Sequence, residues 1–142
     1  MNEIEHLIHV SGKHEFCFVP PDQVRFVMCG VFEDADAVAY LDFIQVHAHE
    51  GSGLLYGVYD LTHMTRMDEG ARKRVVNVGQ SYSFGGIAVI GASFSMRTLA
   101  SMLLRAGKLL APKYFNFPHK FVASMDDANA WFDELRRKQV SS

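Results

Sequence analysis

Between Gly53 and Arg136 the apolar pattern switches repeatedly from strand-like runs to helical spacing, and each switch carries a stop or start signal. Residues 54–60 are near-continuously apolar and close on Asp60, as expected of a strand buried on both faces. Helical spacing follows over 68–81, with Ala71, Val75, Val78 and Tyr82 on one face. Its valines are poor helix formers, so packing must stabilise it. Gly85-Gly86 introduces 87–90 as another core strand. Leu99, Met102, Leu103, Ala106, Leu109 and Leu110 then form an apolar helical stripe that Pro112 ends. Ser95 is expected to cap this helix, with Phe94 and Leu99 as its hydrophobic staple. Residues 120–123 read as a short last strand. Ser124 and Asp127 suggest an acidic capping box before Ala128, Trp131, Phe132 and Leu135, spaced i, i+3, i+4, i+7. Arg136, Arg137 and Lys138 suit a helix C-terminus.

Upstream, residues 15–19 and 24–29 are rich in β-branched and aromatic side chains and flank Pro20-Pro21-Asp22-Gln23, which reads as a hairpin. Pairing Val19 with Val24 sets Cys17 opposite Phe26, not Cys29, and Gly30 is expected to end the second strand. A helix is predicted from Asp34 or Asp36 to about His49, with Val38, Leu41 and Ile44 inward and Ala37 and Ala48 widening the stripe. Gly51-Ser52-Gly53 stops it. Right-handed crossovers make the later strands parallel. The fold class expected is α/β, a single domain over 1–142 with a mostly parallel mixed sheet of about five strands, an N-terminal antiparallel hairpin and four helices. Residues 1–12 are the least determined.

With 142 residues, 49% hydrophobic and 21% charged, the chain can bury a core without disulfides or metal. A net charge of −2 argues against nucleic acid as a partner. Two cysteines, Cys17 and Cys29, suit a reduced, intracellular protein. The first residues lack the basic start and apolar core of a secretory signal, and no apolar run is long enough for a transmembrane span. A cytoplasmic location is expected.

The strand closing on Tyr59-Asp60-Leu61, the strand Ile87-Ala88-Val89-Ile90-Gly91, the helix start Phe94-Ser95-Met96 and the closing helix Asp127-Ala128-Asn129-Ala130-Trp131-Phe132 resemble the SpoIIAA-like branch of the STAS family, often grouped with Sec14-type lipid-carrier domains. The resemblance covers most of the chain in order of elements, through mainly apolar motifs. It implies a binding or regulatory module, like the anti-sigma-factor antagonists that bind a partner kinase and are switched by serine phosphorylation. Their acceptor lies in an Asp-Ser-Ser-Gly turn. The matching residues here are Asp68-Glu69-Gly70-Ala71, with Gly70 at the acceptor position and no serine anywhere between Leu54 and Gln80. The phosphoswitch is therefore not expected, although a phosphorylation-independent binding role survives.

Ligands of parallel α/β sheets bind beyond the carboxyl ends of the strands. Two connections should meet there, one with Asp60, Thr62, His63, Met64 and Met67, the other with Ser93, Phe94, Ser95, Met96 and Arg97. They combine a carboxylate, hydroxyls, a cation and a helix N-terminus with adaptable methionines. The competing reading is structural: Ser95 and Asp60 only cap, and the methionines fill core. Gly91-Ala92-Ser93-Phe94-Ser95 lacks the glycine that a nucleophile elbow needs after Ser93, which argues against a hydrolase. His47 and His49 would face different sides of a helix, and His6, His9, His14, His63 and His119 form no ligand pattern, so no metal is expected. Arg72, Lys73 and Arg74, with Arg97, Arg105 and Lys108, would make a basic patch if their helices pack side by side. Such a patch suits anionic lipid or an acidic partner, and Asp34, Asp36 and Asp42 on another copy would allow a homodimer. The reading that results is a non-enzymatic regulatory or protein-interaction module without cofactor. Its partner surface includes Asp68, Glu69 and Gly70 beside the methionines. The alternative is a domain binding a small amphipathic ligand or lipid at the same edge.

Overall fold

The computed structural model describes residues 7–50, 53–76 and 84–141. Ten elements follow one another: β1 (Leu7–Ser11), β2 (His14–Val19), β3 (Gln23–Phe32), α1 (Asp34–Glu50), β4 (Leu55–Met67), α2 (Glu69–Val76), β5 (Phe84–Ile90), α3 (Phe94–Leu110), β6 (His119–Val122) and α4 (Met125–Ser141). The six strands form one mixed α/β sheet in sequence order. β1, β2 and β3 form an antiparallel meander, and β3 to β6 run parallel. β1 lies in the segment whose sequence carries the weakest pattern. The predicted helix over 68–81 is seen as α2 to Val76; Val78, Ser81 and Tyr82 lie outside the described residues, as do Gly51, Ser52 and His6.

Two apolar layers cover the sheet unequally. On one face α1, α2 and α3 pack on Phe16, Phe18, Val24, Phe26, Leu55, Ile87 and Val89. On the other, α4 alone covers Tyr56, Val58 and Ala88 with Ala128 and Phe132. The three helices share a face because sequential parallel strands joined by crossovers of one hand advance in one direction. Along β4, Leu55 and Tyr56 serve opposite layers, which is why that segment is apolar throughout.

Four local expectations are corrected. The hairpin pairs Phe18 with Val24 and Cys17 with Arg25, one residue away from the expected register. This register places Phe16 beside Phe26 in the core, ring centroids 5.5 Å apart, and burial rather than turn length decides it. Gly30 does not end β3; with φ of 73° it lies beside a register shift against β4, and the strand continues to Phe32. Val38 is 40% exposed, because the inward stripe of α1 is centred on Ala37, Tyr40, Leu41 and Ile44. The cap of α3 is Ser93, whose hydroxyl accepts the Met96 amide at 3.2 Å, rather than Ser95. Phe94 is consequently the first helical residue and points outward, so it forms no staple with Leu99. Ser124 does accept the Asp127 amide at 3.1 Å ahead of α4.

Candidate functional site

β4 outruns β5. Its pairing with β5 ends at Asp60 opposite Ile90, while its pairing with β3 continues to Met67 opposite Phe32. Two register shifts against β3 each give β4 one extra residue, between Asp60 and His63 and between Met64 and Arg66. Strict alternation is lost, and burial falls on every third residue, Leu61, Met64 and Met67. The Asp60 carboxylate supports the first irregularity, accepting from the Thr62 amide at 3.0 Å and the Thr62 hydroxyl at 2.6 Å. Thr62 in turn lies against Gly91, where a Cβ would sit 2.0 Å from its hydroxyl oxygen. The segments following Asp60 and Gly91 are therefore neighbours on one rim of the sheet.

The predicted site residues divide into three groups. Met64, Met67 and Met96 are buried and line a common cavity. Thr62, Ser93, Phe94, Ser95 and Arg97 are exposed around the start of α3, with Asp60 half-buried beside them. Arg97 lies over the Phe121 ring, 5.1 Å from its centroid. Asp68, Glu69 and Gly70 stand at the far end of the β4 overhang, about 20 Å along the strand from Asp60. There they meet the start of α1, since a Cβ on Gly70 would lie 3.5 Å from Asp34. Arg66 pairs with Asp68 at 3.0 Å, Lys73 with Glu69 at 3.3 Å, and Arg74 grips Asp34 through two hydrogen bonds of 2.7 and 3.0 Å. The Arg74 hydrogen bond holds the Asp34 carboxyl below the usual range. Part of the predicted acidic and basic surfaces thus meet within one chain.

The cavity lies between the sheet and the helix layer, over the carboxyl halves of β3, β4 and β5. Its volume is about 110 Å³. Met28, Met64, Met67 and Met96 line it, four of the chain's seven methionines, with leucines of α3 opposite. Among the described residues that line it, the polar side-chain atoms are the Tyr40 and Tyr59 hydroxyls, which hydrogen-bond to each other. An ionised group buried there would lose its hydration without compensation, so the space suits apolar matter. The methionine pairing around it was legible at Met64, Met67 and Met96. The contributions of Met28, Tyr40 and Tyr59 were not, because they come from elements whose patterns read simply as core.

A second polar constellation escaped the sequence reading. Ser11 donates to Asp36 at 2.7 Å, and Asp36 also accepts from the Glu33 amide at 2.9 Å and lies 3.3 Å from His14 Nε2. His14 is 1% exposed; its Nδ1 accepts the Cys29 amide, which assigns the proton to Nε2. The carboxylate, not the imidazole, stands in the middle, so the group is not arranged for nucleophilic attack. It joins β1, β2 and β3 to the start of α1. His47 is buried and stacked on Phe18, 4.4 Å between centroids. Among the described residues no three His, Cys, Asp or Glu side chains are grouped to hold a metal ion, and no helix is long and apolar enough to cross a membrane.

Comparison with known proteins bears on the fold. An uncharacterized protein of the DUF3478 family from Shewanella loihica PV-4, whose crystal structure has a SpoIIAA-like fold, aligns with a TM-score of 0.56 over 89% of this chain and 90% of that one, at 16% identity. No family model and no curated protein matches the sequence. The chain has a SpoIIAA-like fold, whose described residues set four helices around a mixed sheet that begins in an antiparallel hairpin.

Proposed function

We propose that this chain, built on a SpoIIAA-like fold, is a non-enzymatic binding domain that takes the apolar part of a small amphipathic molecule beneath the carboxyl edge of its sheet. The cavity carries the reading. At about 110 Å³ it approaches the ~150 Å³ of engineered apolar cavities that bind benzene. That size suits one ring or a short alkyl chain. Methionine side chains adapt to such guests at little cost. The polar part of the ligand would remain at the rim, beside Thr62, Ser93 and Arg97.

Native mass spectrometry of the chain purified from its own cells tests this. A small-molecule adduct is expected, and Ala100→Leu, which fills the cavity from α3, should remove it. A ligand-free mass overturns the reading. Protein contact at the start of α2 is the second reading, favoured by the exposure of Glu69 and Gly70 there. A co-purifying polypeptide released by Gly70→Arg, with no small-molecule adduct, would select it instead.

A further inference from the structure

The outer face of α3 is the least ordinary surface of the molecule. Phe94 is 85% exposed, Leu109 82% and Met102 52%, three of the eight large apolar side chains that stand out among the described residues. At ~100° per residue, Phe94, Arg105, Leu109 and Met102 fall within one outward sector of the helix, bordered on one side by Arg97 and Lys108. The opposite side carries Met96, Leu99, Leu103 and Leu104 toward the cavity. The seventeen residues of α3 include three cations and no carboxylate, in a chain of net charge −2. Apolar side chains and cations are thus interleaved on one convex stripe about 25 Å long.

We infer that this stripe docks on an anionic membrane surface. A bilayer supplies both complements at once, acyl chains for Phe94, Met102 and Leu109, and negative headgroups for Arg97, Arg105 and Lys108. A second copy meeting the same stripe about a two-fold axis would bring six cations together, which disfavours it. The stripe is convex and its apolar tips are separated by polar positions, a form that suits insertion into a fluid layer better than a protein pocket. The surface shares only Arg97 with the rim of the cavity and does not depend on the cavity being occupied.

The test is co-sedimentation of the full chain with phosphatidylcholine vesicles and with the same vesicles containing about one-third phosphatidylserine. Binding is expected only to the anionic vesicles and should be lost near 1 M salt, where the Debye length falls to about 3 Å. Arg105→Glu with Lys108→Glu should weaken binding at least tenfold, at about fivefold for each cation lost. Phe94→Ser should weaken it with unchanged thermal stability, since Phe94 is outside the core. In Phe94→Trp the emission should shift to the blue on adding anionic vesicles. Ala100→Leu should bind vesicles as the parent does, so failure of the cavity reading leaves this one measurable. Equal binding to both lipids, no binding to either, an unshifted Phe94→Trp, or a dimer in light scattering that Arg105→Glu dissolves would overturn it.

Discussion

At the scale of the residue, the carboxylate of Asp36 holds the start of α1 against the β1–β2 hairpin. One oxygen takes the Ser11 hydroxyl; the other takes the Glu33 amide, a helix-start donor that has no intrahelical partner, and faces His14 Nε2. His14 itself is held from both sides of its ring, Nδ1 accepting the Cys29 amide and Nε2 facing the Val31 carbonyl at 3.1 Å. Removing the carboxylate leaves the Glu33 amide and the Ser11 hydroxyl without this acceptor, while His14 keeps both of its backbone partners. Asp36→Ala is expected to cost about 1–2 kcal/mol, chiefly the lost cap at the start of α1. Asp36→Asn keeps an acceptor oxygen and should cost less. Urea denaturation with an unchanged slope would measure both, and equal midpoints for Asp36→Ala and the parent would contradict the network's role.

At the scale of the element, the contact between β4 and the start of α3 sets the rim. Gly91 has φ of 71°, and Thr62 fills the space a side chain would need. Gly91→Ala should cost about 3 kcal/mol, of which about 1–2 is the left-handed backbone and the rest the collision. Thr62→Ala removes the hydroxyl that collides, so the double variant should cost less than the two single variants together, read from a double-mutant cycle. Additive losses would show that the two segments do not touch as described. The same rim explains what was legible in the sequence. Runs such as Ile87–Ile90 and the stripe of α3 announce themselves because burial follows one period over many residues. The β4 overhang does not, since its two irregularities convert alternation into burial at Leu61, Met64 and Met67, with Thr62, His63, Thr65 and Arg66 outward. Read without its partner strand, that segment looks like a polar loop. Ser93 and Ser95 are equally able caps by residue type, and the residue that caps is Ser93, two positions after the left-handed Gly91. The predicted site was thus half legible: its methionines converge, but Asp68, Glu69 and Gly70 are carried away by strand length that the sequence pattern concealed.

At the scale of the molecule, the two faces of the sheet are held by very different means. The α1–α3 layer rests on a continuous aromatic and aliphatic core, whereas α4 sets Ala128 and Phe132 on three buried side chains of the sheet, Tyr56, Val58 and Ala88, and needs further anchoring. Arg136 supplies it. Its guanidinium makes two hydrogen bonds to Asp22, at 2.9 and 3.0 Å, and stacks on Tyr56 with 4.6 Å to the ring centroid. Nearby, Gln23 donates to Asn129 at 3.0 Å, so the β2–β3 turn and the last helix are tied across more than a hundred residues. Arg136→Ala should cost about 2 kcal/mol, since it removes a bidentate charged pair and a ring contact and strands the Asp22 carboxylate. Arg136→Lys keeps the charge but not the planar fork, so it should recover less than half of that loss. Phe132→Ala should cost about 3–5 kcal/mol through the cavity it leaves. Arg136 also lies 6.0 Å from the Phe132 ring, so the two losses should not add. Hydrogen exchange supplies the decisive reading: in Arg136→Ala the amides of α4 should exchange faster while those of β3 and β4 keep their protection relative to global unfolding. Uniform acceleration throughout the sheet would mean that α4 and the main core open as one unit, and the division into a strong layer and a clamped one would be wrong.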